Sequence, residues 1–262
     1  WLARNFGTVR GSPASIQLRV DAETVAAQNL ISFAKSTVQN YNTTQHPVTY
    51  KMQFYQFNYG NPTAVTGSLA DVSTISNPSS VISDLGAMQA NLYKAFYWTT
   101  SAVYTGDADT DVTSMLTSMN TTIPNPGDGS TPSSPQAVLF IVTDGLADQS
   151  ISGGSCQSVS GRGCQQWTAN HLAQCTTIKN RGVRIAILYT EYLASSIRNS
   201  GLSFADAVAN TNVPQIPTQL QSCASTNPDG SKLYYKVSSN QDISAALTRL
   251  FTMAVQTARL TK

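Results

Sequence analysis

The chain has 262 residues, of which 41% are hydrophobic and 11% charged, and its net charge is +2. A chain of this length and hydrophobicity buries a sizeable core, by default as one large domain, which excludes an intrinsically disordered protein. The near-neutral charge, with no run of Lys and Arg, excludes nucleic-acid binding by phosphate neutralisation and a polybasic membrane patch. No apolar run approaches the ~20 residues of a membrane-spanning helix.

The first predicted elements are a helix and a strand. Apolar spacing over Asp21–Asn40 predicts an amphipathic helix with Asp21 as N-cap. Its inward face is predicted to hold Val25, Leu30, Phe33, Ala34 and Val38. Alternating aromatic residues over Val48–Tyr59 predict a half-exposed strand.

Two helices and a loop follow. Apolar residues three and four apart predict helices over Ser79–Tyr97 and Asp111–Ile123. The prolines and glycines of Pro124–Pro135 predict a loop without regular structure.

The second half of the chain alternates between strands and helices. Continuous apolar runs predict buried parallel strands over Ala137–Thr143, Val183–Tyr189 and Leu233–Val237. Helices are predicted over Gln165–Asn180 with Gly182 as C-cap, Ser203–Asn210, Pro217–Ser222 and Gln241–Ala258. This alternation predicts an α/β fold with a parallel sheet, in which ligands bind beyond the carboxyl ends of the strands.

The four cysteines predict two disulfides and an oxidising compartment. Their spacing excludes a zinc site of the CxxC type. Three pairings are possible, of which we favour Cys156–Cys164, closing a Gly/Ser loop, with Cys175–Cys223. Buried free thiols in a reducing compartment are the alternative.

Asp144 ends the apolar run VLFIVTDG at Val138–Gly145. A carboxylate at the mouth of a buried strand suits a divalent cation or phosphate chemistry. The alternative is a strand-end aspartate that caps the following turn.

A cluster of acidic residues precedes the predicted helix at 111–123. Asp107, Asp109 and Asp111 alternate along GDADTDV, and such clustering needs a cation or a helix N-terminus to offset the repulsion. The cluster therefore indicates either a metal-facing loop or helix capping by Asp109 or Thr110. An EF-hand is excluded because its Gly and its late Glu are missing.

Common catalytic motifs are missing from the sequence. There is no G-x-S-x-G, no Walker loop and no G-x-G-x-x-G, which excludes the usual hydrolase and nucleotide signatures. The two histidines are His46, in a polar turn, and His171, in a helix beside Trp167. Both are predicted to be structural or solvated.

Several segments together resemble one family. They are IQLRVD (Ile16–Asp21), DTDVTSML, VLFIVTDG, IKNRGVRIAILYTEY (Ile178–Tyr192), SCAS (Ser222–Ser225) and ISAALTRLF with ARLTK (Ile243–Lys262). In this order they resemble the von Willebrand factor A-like domain of TadG-type proteins, which belong to the tight-adherence (Flp) pilus machinery of bacteria. The resemblance covers essentially the whole chain.

The resemblance implies a non-enzymatic, extracytoplasmic module that acts in pilus assembly, anchoring or surface adhesion. Its partners would be pilus components or a surface ligand, and its membrane contact an N-terminal helix that lies outside this sequence. Partners are expected to meet the face formed by Gly106–Asp111, Thr143–Asp148 and the loop after Tyr189.

The family's metal-ion-dependent adhesion site is matched only in part. By position, Thr110 matches the threonine of the second loop and Asp144 the aspartate of the third. The D-x-S-x-S of the first loop is absent. The resemblance thus implies Mg²⁺ or Ca²⁺ at an incomplete site, with Asp107, Asp109, Asp111 and Asp148 as further candidates on the ligand face.

The family's first central strand also has no match. We therefore expect residues 1–262 to be a single A-like domain from a longer protein, with that strand and the membrane helix upstream. A sheet without its central strand exposes unpaired backbone groups. The gap is expected to be filled by an upstream segment, by a partner's strand or by Thr8–Val20.

A different class of function is also compatible with the acidic residues. A metal-dependent phosphotransfer enzyme would use Asp109, Asp111 and Asp144. Such a nucleophilic aspartate needs a preceding strand and a lysine partner, and the sequence supplies neither convincingly.

Overall fold

The computed structural model describes residues 19–42, 48–57, 61–66, 68–78, 82, 110–147, 166–191, 193–195, 206–238 and 242–256. The chain divides into two units, Trp1–Tyr59 with Thr63–Asp109 and Gly60–Pro62 with Thr110–Lys262. The predicted helix over Ser79–Tyr97 lies outside the described residues, apart from residue 82.

The first unit contains a long helix, α1 (Arg19–Asn42). It begins two residues before Asp21, so the predicted N-cap is wrong. The inward face is also partly wrong, because Val25 and Phe33 are 44% and 37% exposed. The buried side chains of this helix are Ala26, Leu30, Ile31, Ala34 and Val38.

The predicted strand over Val48–Tyr59 is one arm of an interrupted antiparallel ribbon. β1 (Lys51–Met52) pairs with β4 (Ala70–Asp71), and β2 (Tyr55–Gln56) pairs with β3 (Thr63–Ala64). Between the two pairs, the Phe54 amide donates to the Thr66 hydroxyl at 3.1 Å. A 3₁₀ turn at Val72–Thr74 follows and packs on α1.

The second unit is built on a parallel sheet of order β5–β6–β7, formed by Val138–Thr143, Arg184–Thr190 and Tyr234–Val237. The three predicted apolar runs supply these strands. In the described sheet β6 is central, and its residues Ile185–Leu188 have no exposed surface. β5 pairs with β6 along one side, and only Ile141 and Thr143 of its six residues are buried, so the predicted burial of this strand is confirmed only in part.

Helices cover both faces of this sheet. α5 (Ile243–Gln256) packs on β6 and β7, and its Phe251 ring stacks on Phe140 of β5 at 6.1 Å between centroids. α3 (Ala169–Asn180) and α4 (Ile216–Cys223) pack on β6 and on each other. Because side chains alternate along a strand, the complete burial of Ile185–Leu188 shows that both faces of β6 are covered. The predicted α/β class, a parallel sheet flanked by helices, is confirmed.

The segment before α4 differs from the prediction. Of the helix predicted over Ser203–Asn210, residues 203–205 lie outside the described residues and 206–207 are helical. A π-helical turn at Val208–Asn212 and a 3₁₀ turn at Val213–Gln215 then lead into α4. Pro214 and Pro217 lack the amide hydrogen that a regular helix uses, which favours this irregular entry.

α2 (Val112–Thr122) lies beside α3 and runs in the same direction. Near their N-termini, the Thr113 hydroxyl contacts the His171 ring at 3.0 Å. Near their C-termini, the Arg181 guanidinium donates to the carbonyl oxygen of Ile123 at 2.8 Å and to that of Asn120. The C-cap of α3 is Arg181, so the predicted cap at Gly182 is one residue too late, and Gly182, with φ +90, follows it in the left-handed region.

Cys175 of α3 and Cys223 of α4 form a disulfide, as predicted. Cys156 and Cys164 lie outside the described residues. None of the helices within the described ranges is long and apolar enough to span a membrane.

Candidate binding edge at the carboxyl ends of the strands

The turn after β5 places Asp144 at the carboxyl edge of the sheet. The buried Thr143 hydroxyl accepts the Gly145 amide at 3.0 Å, and Asp144 Oδ1 accepts the Leu146 amide at 3.2 Å. Capping of the turn, the alternative considered for Asp144, is therefore observed. The side chain remains partly exposed, so its position still suits contact with a ligand.

Gly145 fixes this turn against α4. Its φ of +80 lies in the left-handed region, and a β-carbon built on it would lie 2.2 Å from Cγ2 of Ile216. Only glycine meets both conditions without strain. The direction of Asp144 is thus set by close packing of the backbone on the buried face of α4.

Asp111 is the N-cap of α2. Its Oδ1 accepts the Ser114 amide at 2.9 Å and its Oδ2 accepts the Ser114 hydroxyl at 2.6 Å. Capping was predicted for Asp109 or Thr110, so the residue is one or two positions later than expected. Thr110 immediately precedes the cap and is partly buried.

His171 is structural, as predicted, and has no exposed surface. Its Nδ1 accepts the Thr168 amide at 2.8 Å, which leaves Nε2 as the protonated nitrogen that donates to Thr113 Oγ1. Burial lowers the pKa of His171 to about 4, although the Asp111 carboxylate acts in the opposite direction. The ring is therefore neutral at pH 7 and contributes hydrogen bonds, not charge. His46 lies outside the described residues.

The end of β6 adds an ion pair to the same edge. Glu191 follows β6, its amide donates to Val237 O at 2.8 Å, and its carboxylate lies 2.5 Å from Lys236 Nζ. This ion pair could not be predicted from sequence, because the two residues are 45 positions apart and meet only when β6 and β7 align.

Asn212 is a second group that sequence reasoning missed. It is completely buried in the turn before α4, one helical turn ahead of Ile216, and neither amide atom has a hydrogen-bond partner in the described structure. Such a group costs about 1–3 kcal/mol. A buried amide at this end of α4 has no signal in the local sequence.

Substituting this amide tests its energetic role. Asn212→Leu keeps the approximate shape of the side chain and removes both polar atoms, so we expect the free energy of unfolding to rise by about 1–3 kcal/mol. Urea unfolding followed by circular dichroism measures it. A loss of stability in Asn212→Leu would show that the amide has a stabilising partner.

The predicted metal residues are only partly assembled. Thr110 precedes α2 and Asp144 follows β5, while Asp107, Asp109 and Asp148 lie outside the described residues. The described chain contains no group of three His, Cys, Asp or Glu residues able to hold a metal ion. One carboxylate and one hydroxyl are hard oxygen donors that suit Mg²⁺ or Ca²⁺, but they make a partial ligand set.

Comparisons with known proteins support the fold. The pilus adhesin SpaC of Lactobacillus rhamnosus GG, in its open conformation, gives a TM-score of 0.51 at 12% identity, over 92% of this chain and 28% of that chain. A second SpaC structure gives 0.51 at 14% identity, over 96% and 29%. This chain thus spans less than a third of SpaC.

A weaker likeness is to proximal thread matrix protein 1 of the mussel byssus, in a structure with a zinc-occupied MIDAS motif. Its TM-score is 0.41 at 11% identity, over 89% of this chain and 43% of that chain. No family model and no curated protein matches the chain.

Proposed function

We propose that this protein is a non-enzymatic binding module of the adhesion type, whose ligand meets the carboxyl edge of the β5–β6–β7 sheet. The observation that carries the proposal is the turn at Thr143–Gly145. Close packing of Gly145 on Ile216 holds the partly exposed carboxylate of Asp144 at the carboxyl edge of the sheet. Ligands of α/β sheets bind at this edge. The fold shared with the pilus adhesin SpaC supports the same function.

The engagement of Asp111 argues against its use in the phosphotransfer alternative, and Asp109 lies outside the described residues. Asp111 uses both oxygens to cap α2, and Asp144 uses one to hold its own turn. A phosphotransfer nucleophile needs an oxygen free to attack, and its site needs a group that stabilises the transferred charge. Glu191, the carboxylate that follows β6, is paired with Lys236.

The proposed setting is an extracytoplasmic part of a bacterial tight-adherence pilus system, in a protein anchored by a membrane helix outside this sequence. The Cys175–Cys223 disulfide supports an oxidising compartment. The resemblance to the TadG-type A-like domain supports the pilus role, with pilus components or a surface ligand as partners. Thr110 and Asp144 would contribute to a Mg²⁺ or Ca²⁺ site. A cation bound there would attract an acidic group of the ligand.

A matched pair of variants tests the role of Asp144. Asp144 and Asp229 each accept the backbone amide two residues ahead, but Asp229 lies before β7, at the opposite edge of the sheet. Asn keeps that acceptor and removes the charge. We expect Asp144→Asn to weaken binding of Mg²⁺ or Ca²⁺, titrated alone by calorimetry, at least tenfold, and Asp229→Asn to leave it unchanged. An equal effect of both variants would contradict a site at Asp144.

The function itself is tested in the source bacterium. Deletion of the gene is expected to reduce surface pili or attachment, counted by electron microscopy and by adhesion to a surface. Wild type and Asp229→Asn should restore the phenotype, and Asp144→Asn should not. Unchanged pili and attachment after deletion would overturn the pilus role. Turnover of a phosphate monoester with Mg²⁺, lost in Asp144→Asn, would favour the enzyme.

A further inference from the structure

The α2–α3 pair is held by side-chain contacts of different chemical kinds at its two ends. At the N-terminal end, His171 contacts Thr113 at 3.0 Å. In the middle, Gln174 Nε2 donates to Thr117 Oγ1 at 3.1 Å. At the C-terminal end, Arg181 donates to carbonyl oxygens at the end of α2.

His171 has two tasks at once. Its Nδ1 takes the place of the usual acceptor three residues into a helix and receives the Thr168 amide, so it completes the capping of α3. Its Nε2 donates to Thr113 and so joins α3 to α2. The first task requires a neutral ring, because Nδ1 must be unprotonated, and the second requires a proton on Nε2, which the charged ring also carries.

We propose that His171 is an acid-released latch between the N-terminal ends of α2 and α3. A proton on Nδ1 turns the acceptor into a donor, which then faces the Thr168 amide hydrogen instead of receiving it. The α3 cap is lost, and the N-terminal turn of α3 is loosened, so that its contact with Thr113 is weakened although Nε2 keeps its proton. The Arg181 end holds, because arginine stays charged in acid and its carbonyl partners do not titrate.

Three features of the surroundings oppose the protonated ring. The side chain is fully buried, so an imidazolium would lose its hydration. It lies in the first turn of a helix, where the backbone dipole disfavours a positive charge. Its neighbours Trp167, at 6.2 Å between ring centroids, and Thr113 carry no charge. Asp111 on α2 is the charged group that acts on it and favours the protonated form.

The sign of the pH effect follows from these pKa values. The ring has a pKa of about 4 in the folded protein and 6.5 in the unfolded chain. The unfolded chain therefore binds the proton more tightly, and the latch stabilises the fold fully above pH 6.5. That contribution is lost as the pH falls from 6.5 to 4, by roughly 300-fold in the folding equilibrium constant, since the two pKa values differ by about 2.5.

Two variants separate the tasks of the ring. In His171→Asn, the side-chain oxygen stands where Nδ1 stood, so the Thr168 amide keeps an acceptor that does not titrate. In Thr113→Val, the link to α2 is lost and the titrating cap remains. Urea unfolding of the full chain is measured at pH 7, 5.5 and 4. The free energy of unfolding should fall more steeply with decreasing pH in wild type and Thr113→Val than in His171→Asn.

Hydrogen exchange distinguishes a latch from global unfolding. At pH 4, after correction for intrinsic rates, the amides of Thr168–Leu172 should lose protection while that of Gly182, beside Arg181, keeps it. Uniform loss along α3 would contradict the latch. The same pH dependence in wild type and His171→Asn, or a His171 ring that titrates near pH 6.5 by NMR, would overturn the proposal even if His171→Asn fails to fold.

Discussion

Replacing both Cys175 and Cys223 by alanine is expected to lower the free energy of unfolding by roughly 4 kcal/mol. The bond joins residues 48 positions apart, and closing a loop of about that length removes this much chain entropy from the unfolded state. It also ties α3 to α4, both of which pack on β6. Urea unfolding at pH 7, followed by circular dichroism, measures the change.

Reduction provides a control for the alanine pair. Wild type unfolded and refolded in excess dithiothreitol should show a loss close to that of the double variant. The double variant lacks this bond, so dithiothreitol should not change its free energy of unfolding through it. Equal stability of wild type and the double variant would contradict a stabilising role for the cross-link.

Gly145→Ala is expected to cost about 3 kcal/mol, through two effects that add. The left-handed backbone of Gly145 penalises any β-carbon by roughly 1 kcal/mol. The new carbon would also lie 2.2 Å from Ile216 Cγ2 and 3.2 Å from Leu220 Cδ1. Both partners are fully buried, so the turn or α4 must shift, at a further cost of about 1–3 kcal/mol.

Gly230 is the matched control for this substitution. Its φ of +83 is nearly the same, but a β-carbon there meets nothing within 4 Å. Gly230→Ala should therefore lower the free energy of unfolding only by the contribution of the left-handed backbone. In Gly145→Ala with Ile216→Ala, the overlapping methyl is gone, so the two losses should be less than additive. A Gly145→Ala variant as stable as Gly230→Ala would show that the turn does not press on α4.

Much of the second unit could be predicted from sequence because its signals are local. The continuous apolar run VLFIVT predicts a strand of a parallel sheet, which β5 is, although four of its six residues keep partial exposure. α5 repeats its apolar residues every three or four positions. The position of Asp144 at the carboxyl edge followed directly from the end of β5.

The first unit shows where such signals fail. Around α1 the apolar residues occupy more than one side, so local spacing does not decide which side is buried. The choice of Ala26 and Ile31 over Val25 and Phe33 is made by tertiary packing. In the ribbon, the break at Phe54 depends on a hydroxyl twelve residues away, at Thr66.

The candidate binding edge also contains features that the sequence predicts and features that it does not. Asp144 and the glycine after it were visible in the sequence as the end of a strand. The exchange of hydrogen bonds between His171, Thr168 and Thr113 was not, because Thr113 and His171 are 58 residues apart. Capping by Asp111 was missed by one or two positions because several residues that favour N-caps stand side by side.

The complete burial of the disulfide also determines at which stage of biosynthesis it can form. Neither Cys175 nor Cys223 has any exposed surface in the folded protein, and thiol oxidation requires access of an oxidant to the sulfur. Oxidation must therefore take place while α3 and α4 are still apart, as a step of folding and not as a later maturation. A chain that folds in a reducing cytosol would bury two thiols beyond the reach of an oxidant, so recombinant protein should be produced by export or by refolding in a redox buffer.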